Sequence, residues 1–361
     1  MKTVLVPLQE RTYKIVIGDS HLAQCGNYLK KLNIGQDALI VTHPFIRKRY
    51  GKKVVAAFSK NRLNVKWFEV PEGEKSKSMR VASQVIEKIA RYDAMKKVFV
   101  IALGGGVIGD LAGYIAAVYK RGVPYVQIPT TFLAQIDSAI GGKVAIDLPI
   151  GKNLVGAFYQ PKLVYSDVSV LSTLSVRQLR NGLAEAIKYG IIADRTLFDY
   201  IDRNHDSFLK ADPKVLTHVV CSCSRIKAQV VSKDEREKKG IRTILNFGHT
   251  IGHAVEAAGQ YHGYHHGEAV ALGMRVAAEI SCRLKMLKEK DLVAINELLS
   301  KVGLPETIQR VKLSDIIRTM KHDKKFISGR NRFVLAQRIG SVKVVEGISL
   351  STIEKAIRKY L

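Results

Sequence analysis

Four cysteines in 361 residues are too few to staple a chain of this length with disulfides. Cys221 and Cys223 lie two apart in a helical stretch, point to different faces and read as packing thiols. Low-complexity stretches and short repeats are missing, which excludes intrinsic disorder, collagen and coiled-coil arrays. A membrane-spanning run is missing too: Val98 to Tyr119 comes nearest, yet it contains Asp110 and five glycines. The N-terminal MKTVLVPLQERTYKIVIG lacks signal-peptide architecture, so a cytoplasmic protein is expected. Acid is scarce as well, with 32 Asp plus Glu against 58 Lys plus Arg and a net charge of +26. Such an excess suits a nucleic acid or a polyanionic metabolite. The basic residues are spread along the chain, concentrated only locally as in Arg47-Lys48-Arg49 and Lys52-Lys53. No zinc-finger, KH or RRM signature gives a nucleic acid a docking surface, so no specific nucleic-acid partner is expected.

What is present is globular: 47% hydrophobic residues and a length that suits two domains. In the first half, strand-like and helix-like segments alternate. DALIVTH (37–43) and NVKWFEV (64–70) read as strands, and SMRVASQVIEKIARYDA (78–94) has helical periodicity. KVFVIAL (97–103) is the continuous apolar run of a buried parallel strand. It leads through GGGVIGD into the helical LAGYIAAVYK, and VPYVQIP (123–129) is a further buried strand. This order predicts an α/β fold, a Rossmann-like parallel sheet, over residues 1–172. From 173 to 361 the pattern is mostly helical: SVRQLRNGLAEAIKYGIIA, PKVLTHVVCSCSRIKAQVVS, GHTIGHAVEAAG and GEAVALGMRVAAEISCRLKML. One strand-like run, RFVLAQRIG (332–340), and a closing helix at 350–360 complete it. A cleft between two such domains is the default place for cofactor and substrate.

Gly104, Gly106 and Gly109 form G-x-G-x-x-G between a strand and a helix. Glycines there let the backbone approach a pyrophosphate at a helix N-terminus. The usual acidic ribose ligand about 20 residues on is replaced by Ile128-Pro129-Thr130, so a dinucleotide would sit in a different geometry. Thr130 and Thr131 could cap the next helix. Five of the ten histidines fall between 249 and 266. His249 and His253 are four apart, on one face of a helix that Asn246 or Thr250 could start; His265 and His266 precede Gly-Glu. Spacing alone predicts a divalent metal, most plausibly zinc, on His249, His253 and one of the later pair. Glu185 and Lys188 share a helical face among apolar neighbours, where a carboxylate wants a metal or a cation. Asp137, Lys143, Lys152 and Asn153 lie among paired glycines and suit a phosphate or carboxylate pocket. Lys227, Arg242 and Asn246 add donors, while KDEREKK (233–239) reads as a solvated loop.

Taken together, GGGVIGDLAGYIAAVYKRG, IPTTFLAQIDSAIGGK, GKNLVGAFYQP, GLAEAIKYG, NFGHTIGHAVEA and HHGEAVALGM resemble the 3-dehydroquinate synthases, from about residue 65 to 340. The resemblance implies an enzyme dependent on NAD and on one divalent metal, zinc or cobalt. Its substrate would be 3-deoxy-D-arabino-heptulosonate 7-phosphate, a small phosphorylated sugar acid, on the shikimate route. It also implies a homodimer. By motif, the metal ligands would be Glu185, His249 and His266, which overrides the spacing in favour of His253 as a substrate-phosphate and proton-handling group. NAD contacts would come from Glu74, Lys77, Gly105, Gly106, Asp110, Thr130 and Thr131. Asp137, Lys143, Lys152, Asn153, Lys188, Lys227, Arg242, Asn246 and His253 would form the substrate pocket. Of these, Lys143, Asn153, Lys188 and His253 would be catalytic. Arg121 and Lys324, or its neighbour Lys325, would reach a substrate phosphate, Arg121 across a dimer interface. Thr42-His43-Pro44 departs from the family at the adenosine ribose, and no residue is named for that contact. Related sugar-phosphate cyclases and metal-dependent alcohol or glycerol dehydrogenases are the competing classes.

Overall fold

The computed structural model describes residues 1–259, 263–321 and 331–361. Its elements run β1 (Lys2–Val6), β2 (Tyr13–Gly18), α1 (Cys25–Leu32), β3 (Asp37–Thr42), α2 (Pro44–Ser59), β4 (Asn64–Glu69), α3 (Met79–Tyr92), β5 (Val98–Gly104), α4 (Gly106–Val118), β6 (Tyr125–Pro129), β7 (Lys143–Leu148), β8 (Gly151–Phe158) and β9 (Leu163–Asp167). After them come α5 (Val176–Ala193), α6 (Arg195–Leu209), α7 (Pro213–Lys233), α8 (His249–Ala258), α9 (His266–Arg283), α10 (Glu289–Lys301), α11 (Leu313–Lys321), β10 (Arg332–Arg338), β11 (Ser341–Glu346) and α12 (Leu350–Arg358). Two compact units emerge, Met1–Leu174 with Leu216–Arg236, and Ser175–Val215 with Glu237–Leu361.

The first unit is built on a seven-stranded sheet ordered β1-β2-β9-β6-β5-β3-β4. Only β1 runs antiparallel to its neighbour; the other pairings are parallel. The expected apolar strand lies inside the sheet as β5, between β6 and β3, all seven of its residues buried. Each fully buried Val, Ile, Leu or Phe there contributes about 1.5–3 kcal/mol relative to exposure. From β3 the chain steps outward to β4 and then returns to the other side of β3 as β5. In sheets of this kind ligands bind where the strand order reverses, which here is at the carboxyl ends of β3 and β5. Three strand ends meet there: the Thr42 hydroxyl donates to the Leu103 carbonyl at 2.7 Å, and the Thr130 amide donates to the Gly104 carbonyl at 2.9 Å. Thr131 caps the turn that follows, accepting from Ala134 N at 3.3 Å.

In the second unit α9 is buried along most of its length. Arg275 on this helix is buried too, and is held by Pro305 and Asn296 carbonyls, the Asn296 side chain and Ser300 at 3.0–3.1 Å. Ser281 Oγ accepts from Ala336 N at 3.0 Å and donates to Ala277 O at 2.6 Å, tying β10 to the helix. The late strand expected at 332–340 is half of a β10–β11 hairpin. Cys221 and Cys223 are buried, as packing thiols should be. Two expectations change. KDEREKK is not simply solvated: Asp234 is buried, and Glu235 accepts from both Arg11 nitrogens and from Gln160. The histidine helix starts at neither Asn246 nor Thr250 but at His249, with Gly248 as its cap. Among the described residues no helix is long and apolar enough to cross a membrane.

His21 is an unusual element of the first core. Its ring is buried edge-on to Tyr165, with centroids 4.6 Å apart, and neither nitrogen has a hydrogen-bond partner among the described residues. Burial holds it below the ordinary histidine value of 6.5. An unfolded chain therefore takes a proton below pH 6.5 that the folded chain refuses, so stability falls as pH drops through that value. We expect wild type to lose up to about 1.4 kcal/mol per pH unit from this group between pH 6.5 and 5, and His21→Leu to lose less. Melting temperatures at pH 7 and pH 5 check this; parallel losses in the two proteins would refute it.

Candidate active site

Three helices of the second unit deliver one cluster. Ser175 caps α5, accepting from Gln178 N at 3.3 Å, and Glu185 and Lys188 follow inside its buried stretch. α8 opens on His249. α9 opens on His266, and its start is fixed twice. His265 N donates to the Glu268 carboxylate at 2.8 Å, and Gly267 N donates to Asn181 Oδ1 on α5 at 2.6 Å. Glu268 is in turn gripped by the Arg177 guanidinium at 2.7 and 2.8 Å. Two glycines make the close approaches possible. A Cβ on Gly267 would run into the Asn181 backbone of α5, and one on Gly273 into the Gly248 carbonyl beside His249.

Glu185 is 1% exposed and pairs with Lys188, itself 2% exposed. Its Oε1 lies 3.4 Å from His249 Nε2 and 3.3 Å from His266 Nε2. Burial pushes the Glu185 carboxyl upward, but Lys188 and the two imidazoles override it and hold it well below the usual carboxylate range. Burial likewise holds His249 well below its usual value. Burial opposes the charge on His266 as well, yet Glu185 and Glu256 lift that ring to about 10. One ligand atom each from Glu185, His249 and His266 fall within 4.8 Å of one another. Metal bonds of about 2.0–2.2 Å in a tetrahedron separate ligand atoms by about 3.3 Å, close to the two measured edges. Among the described residues neither Glu185 oxygen completes a hydrogen bond of ordinary geometry. The donor set therefore fits a zinc- or cobalt-like ion. His253 stands beside the trio, its ring centroid 5.2 Å from that of His249 and 6.0 Å from that of His266. The geometry thus groups Glu185 with His249 and His266, rather than the His249–His253 pair that spacing favoured.

The first unit holds a second cluster. Lys77 is buried, donates to Asn153 Oδ1, lies 2.6 Å from Asp110 Oδ2 and 4.0 Å from Asp147 Oδ1. Burial raises Asp110 to about 6 against the pull of Lys77. Glu74 is raised by burial too, with Lys152 and Lys77 opposing. Gly105 caps α4 and Gly106 is its first residue. A Cβ on Gly105 would press on Thr131, and one on Gly106 on Ser138. Nearby, the buried Thr130 hydroxyl has no hydrogen-bond partner among the described residues. A glycine turn at the start of α4 with an unmet hydroxyl beside it suits a dinucleotide pyrophosphate. Lys227 donates to Asp137 twice at 2.7 Å, to its carbonyl and to its carboxylate.

Elsewhere, Arg242 is buried with Glu237 at 3.4 Å, and Asn246 closes the turn Ile241–Asn246. Lys143 begins β7 and is exposed, as is Arg121, at φ +63° after α4. Lys324 and Lys325 lie outside the described residues. Asp147 and Glu256 were missed. The alternation of β7, Val144 and Ile146 inward, leaves Asp147 on the face of Lys143. Glu256 stands three after His253.

The fold is that of the sugar-phosphate cyclases. A 2-deoxy-scyllo-inosose synthase complexed with carbaglucose-6-phosphate, NAD+ and Co2+ superposes with a TM-score of 0.91, at 28% identity over 100% of both chains. ValA, a 2-epi-5-epi-valiolone synthase from Streptomyces hygroscopicus with NAD+ and Zn2+ bound, gives 0.88 at 26% identity over 98% of both. Sequence models for the N-terminal and C-terminal parts of 3-dehydroquinate synthase match residues 67–181 and 182–326. The 3-dehydroquinate synthase of Desulforamulus reducens is 44% identical over 349 residues, 96% of this chain and 97% of that one. The chain belongs to the 3-dehydroquinate synthase family.

The α8–α9 crossing generates a stability test. Gly273→Ala forces a methyl against the Gly248 carbonyl, and overpacking of this kind costs about 1–3 kcal/mol. Thermal unfolding of metal-stripped protein should show the loss; an unchanged midpoint would mean the crossing is looser than described.

Proposed function

We propose that the chain catalyses the reaction for which its family is named, turning 3-deoxy-D-arabino-heptulosonate 7-phosphate into 3-dehydroquinate and inorganic phosphate. The observation that carries this reading is the convergence of Glu185, His249 and His266 around one point, beside Lys188, in a chain 44% identical to a synthase of that name. Residues of 1–172 hold NAD: Glu74, Lys77, Gly105, Gly106, Asp110, Thr130 and Thr131. Residues of 173–361 hold the divalent ion: Glu185, His249 and His266. NAD bound there supplies a hydride acceptor that is regenerated each turnover, and the ion supplies positive charge that acidifies a substrate hydroxyl.

The chain's own residues bind and orient the substrate and move its protons. Arg242, its guanidinium set beside Glu237, offers a fork to the substrate carboxylate. Lys227 is locked by Asp137, so its ammonium is placed before substrate arrives and little ordering entropy remains to be lost. Lys143, Lys152, Asn153 and His253 hold the phosphate charge as it grows and leaves, with Arg121 and Lys324 as further phosphate donors. Lys188 keeps Glu185 ionised. Asn246 completes the donors. On this reading the enzyme works in the cytoplasm as a homodimer.

The other cyclases are the second reading, because solved structures of an inosose and a valiolone synthase share the fold at high TM-score. Lys143, Lys227, Arg242 and Asn246 argue against it, since they suit a substrate carboxylate that those substrates lack. Purified protein with NAD should release phosphate from the heptulosonate phosphate with no net change at 340 nm, and a strong chelator should stop it. A preference for glucose 6-phosphate or sedoheptulose 7-phosphate in the same panel would transfer the chain to the second reading, and steady NADH build-up would make it a dehydrogenase. Glu185→Gln should lose most of its bound metal by elemental analysis; full metal content in that variant would remove Glu185 from the ligand set.

A further inference from the structure

An imidazole that serves a metal through one nitrogen must dispose of the other, and the two rings here do so differently. His249 turns Nε2 toward Glu185 and Nδ1 toward the Phe247 carbonyl at 3.1 Å. His266 turns Nε2 toward Glu185 and Nδ1 toward Glu256 Oε2 at 3.5 Å. A carbonyl or an ionised carboxylate only accepts. Each Nδ1 therefore carries a hydrogen, and with an ion among the trio each Nε2 would give its lone pair to that ion. Glu256 lies on α8, its side chain 13% exposed, so this one helix supplies His249 directly and steadies a ring that begins α9.

We propose that Glu256 is a positioning residue of the metal centre: by accepting the Nδ1 hydrogen of His266 it fixes that ring's tautomer and aims Nε2 at the ion. The inference rests on the reading of Glu185, His249 and His266 as ligands. Its carboxylate also makes His266 the more basic donor, which the neutral Phe247 carbonyl does not do for His249. Nδ1 of His266 has a competing use. His253, Glu256 and His266 also bring ligand atoms within 4.8 Å, so Glu256 could instead hold an ion of its own. That grouping takes its third donor from an exposed His253 and lacks the buried carboxylate that gives the first trio its charge.

Metal-stripped full-length protein titrated with Co(II) against a competing chelator separates these. Glu256→Ala should bind Co(II) about 10- to 100-fold more weakly and shift its visible absorption bands, while still binding one equivalent at saturation. Glu256→Gln keeps an accepting oxygen without the charge, so it should recover part of the affinity and most of the wild-type spectrum. The spectral shift in Glu256→Ala and its recovery in Glu256→Gln are readouts that a purely structural role would not move. Unchanged affinity in Glu256→Ala, or two equivalents in wild type falling to one in that variant, overturns the proposal. Wild type that takes up no Co(II) at all overturns it together with the ligand reading; wild-type binding with an indifferent Glu256→Ala overturns it alone.

Discussion

A carboxylate with 1% exposure cannot keep its charge without company, and the second unit is arranged around that constraint. Removing such a group from water costs several kcal/mol unless opposite charge and good geometry repay it. Lys188, one turn along the same helix, is the local part of the answer. The remote part is two imidazoles that begin two other helices. Bringing the starts of α8 and α9 to the flank of α5 leaves no room for side chains at the crossings, and there the chain uses Gly267 and Gly273. Packing and electrostatics here are one requirement. The close crossings exist because the charge must be surrounded, and the surrounded charge is what makes the helix starts useful to an ion.

The first unit solves the mirror-image problem. Lys77 is a buried cation, and its partners come from three separate stretches: Asp110 on α4, Asn153 on β8 and, more distantly, Asp147 on β7. The segment of Lys77 is fastened to the β7–β8 hairpin by the Asp147 amide, which donates to the Lys77 carbonyl at 2.7 Å. Asp147 in turn accepts from the Asn153 amide at 2.7 Å. Asn153 sits at φ +56°, a conformation asparagine tolerates better than most residues. The result ties an expected cofactor residue, Lys77, to an expected substrate residue, Asn153. Neither assignment would have predicted that contact alone.

Much of this was legible in sequence because the signals were local. Periodicity located β3, β4, β5, β6 and the long helices, since each buries its own apolar face. The hairpins escaped notice for physical reasons. β8, GKNLVGAF, has no clean alternation and is largely exposed, so its strand character comes from pairing with β7. β11 was hidden behind the turn at Gly340, where φ is +94°. The cap of α8 was misread because Asn246 and Thr250 are the better capping residues by chemistry. Gly248 won because a left-handed residue was needed where the chain leaves the turn Ile241–Asn246. For the metal trio, spacing could see only what one helix brings together, His249 with His253. A carboxylate 64 residues upstream is invisible to periodicity, and motif resemblance supplied it. Glu256 was hidden for the opposite reason: an acid three residues past a histidine looks like any solvated helix face.

The charge of the chain is a separate matter from the chemistry of its sites. Among the described buried residues, acidic side chains outnumber basic ones, seven to five. The whole excess of +26 is therefore carried outside the buried set, where salt at physiological strength screens it within about 8 Å. A field of that kind draws any polyanion and distinguishes none. On the proposed reading, discrimination falls to the few cations whose positions are set beforehand: Lys227 locked by Asp137, Lys188 against Glu185, Lys77 among its acceptors, Arg242 beside Glu237. Each is buried, and each is paid for by an acid that the rest of the sequence has in short supply. The scarcity of acid therefore has a local meaning, because several of the acids that remain stand where a cation must be held in place.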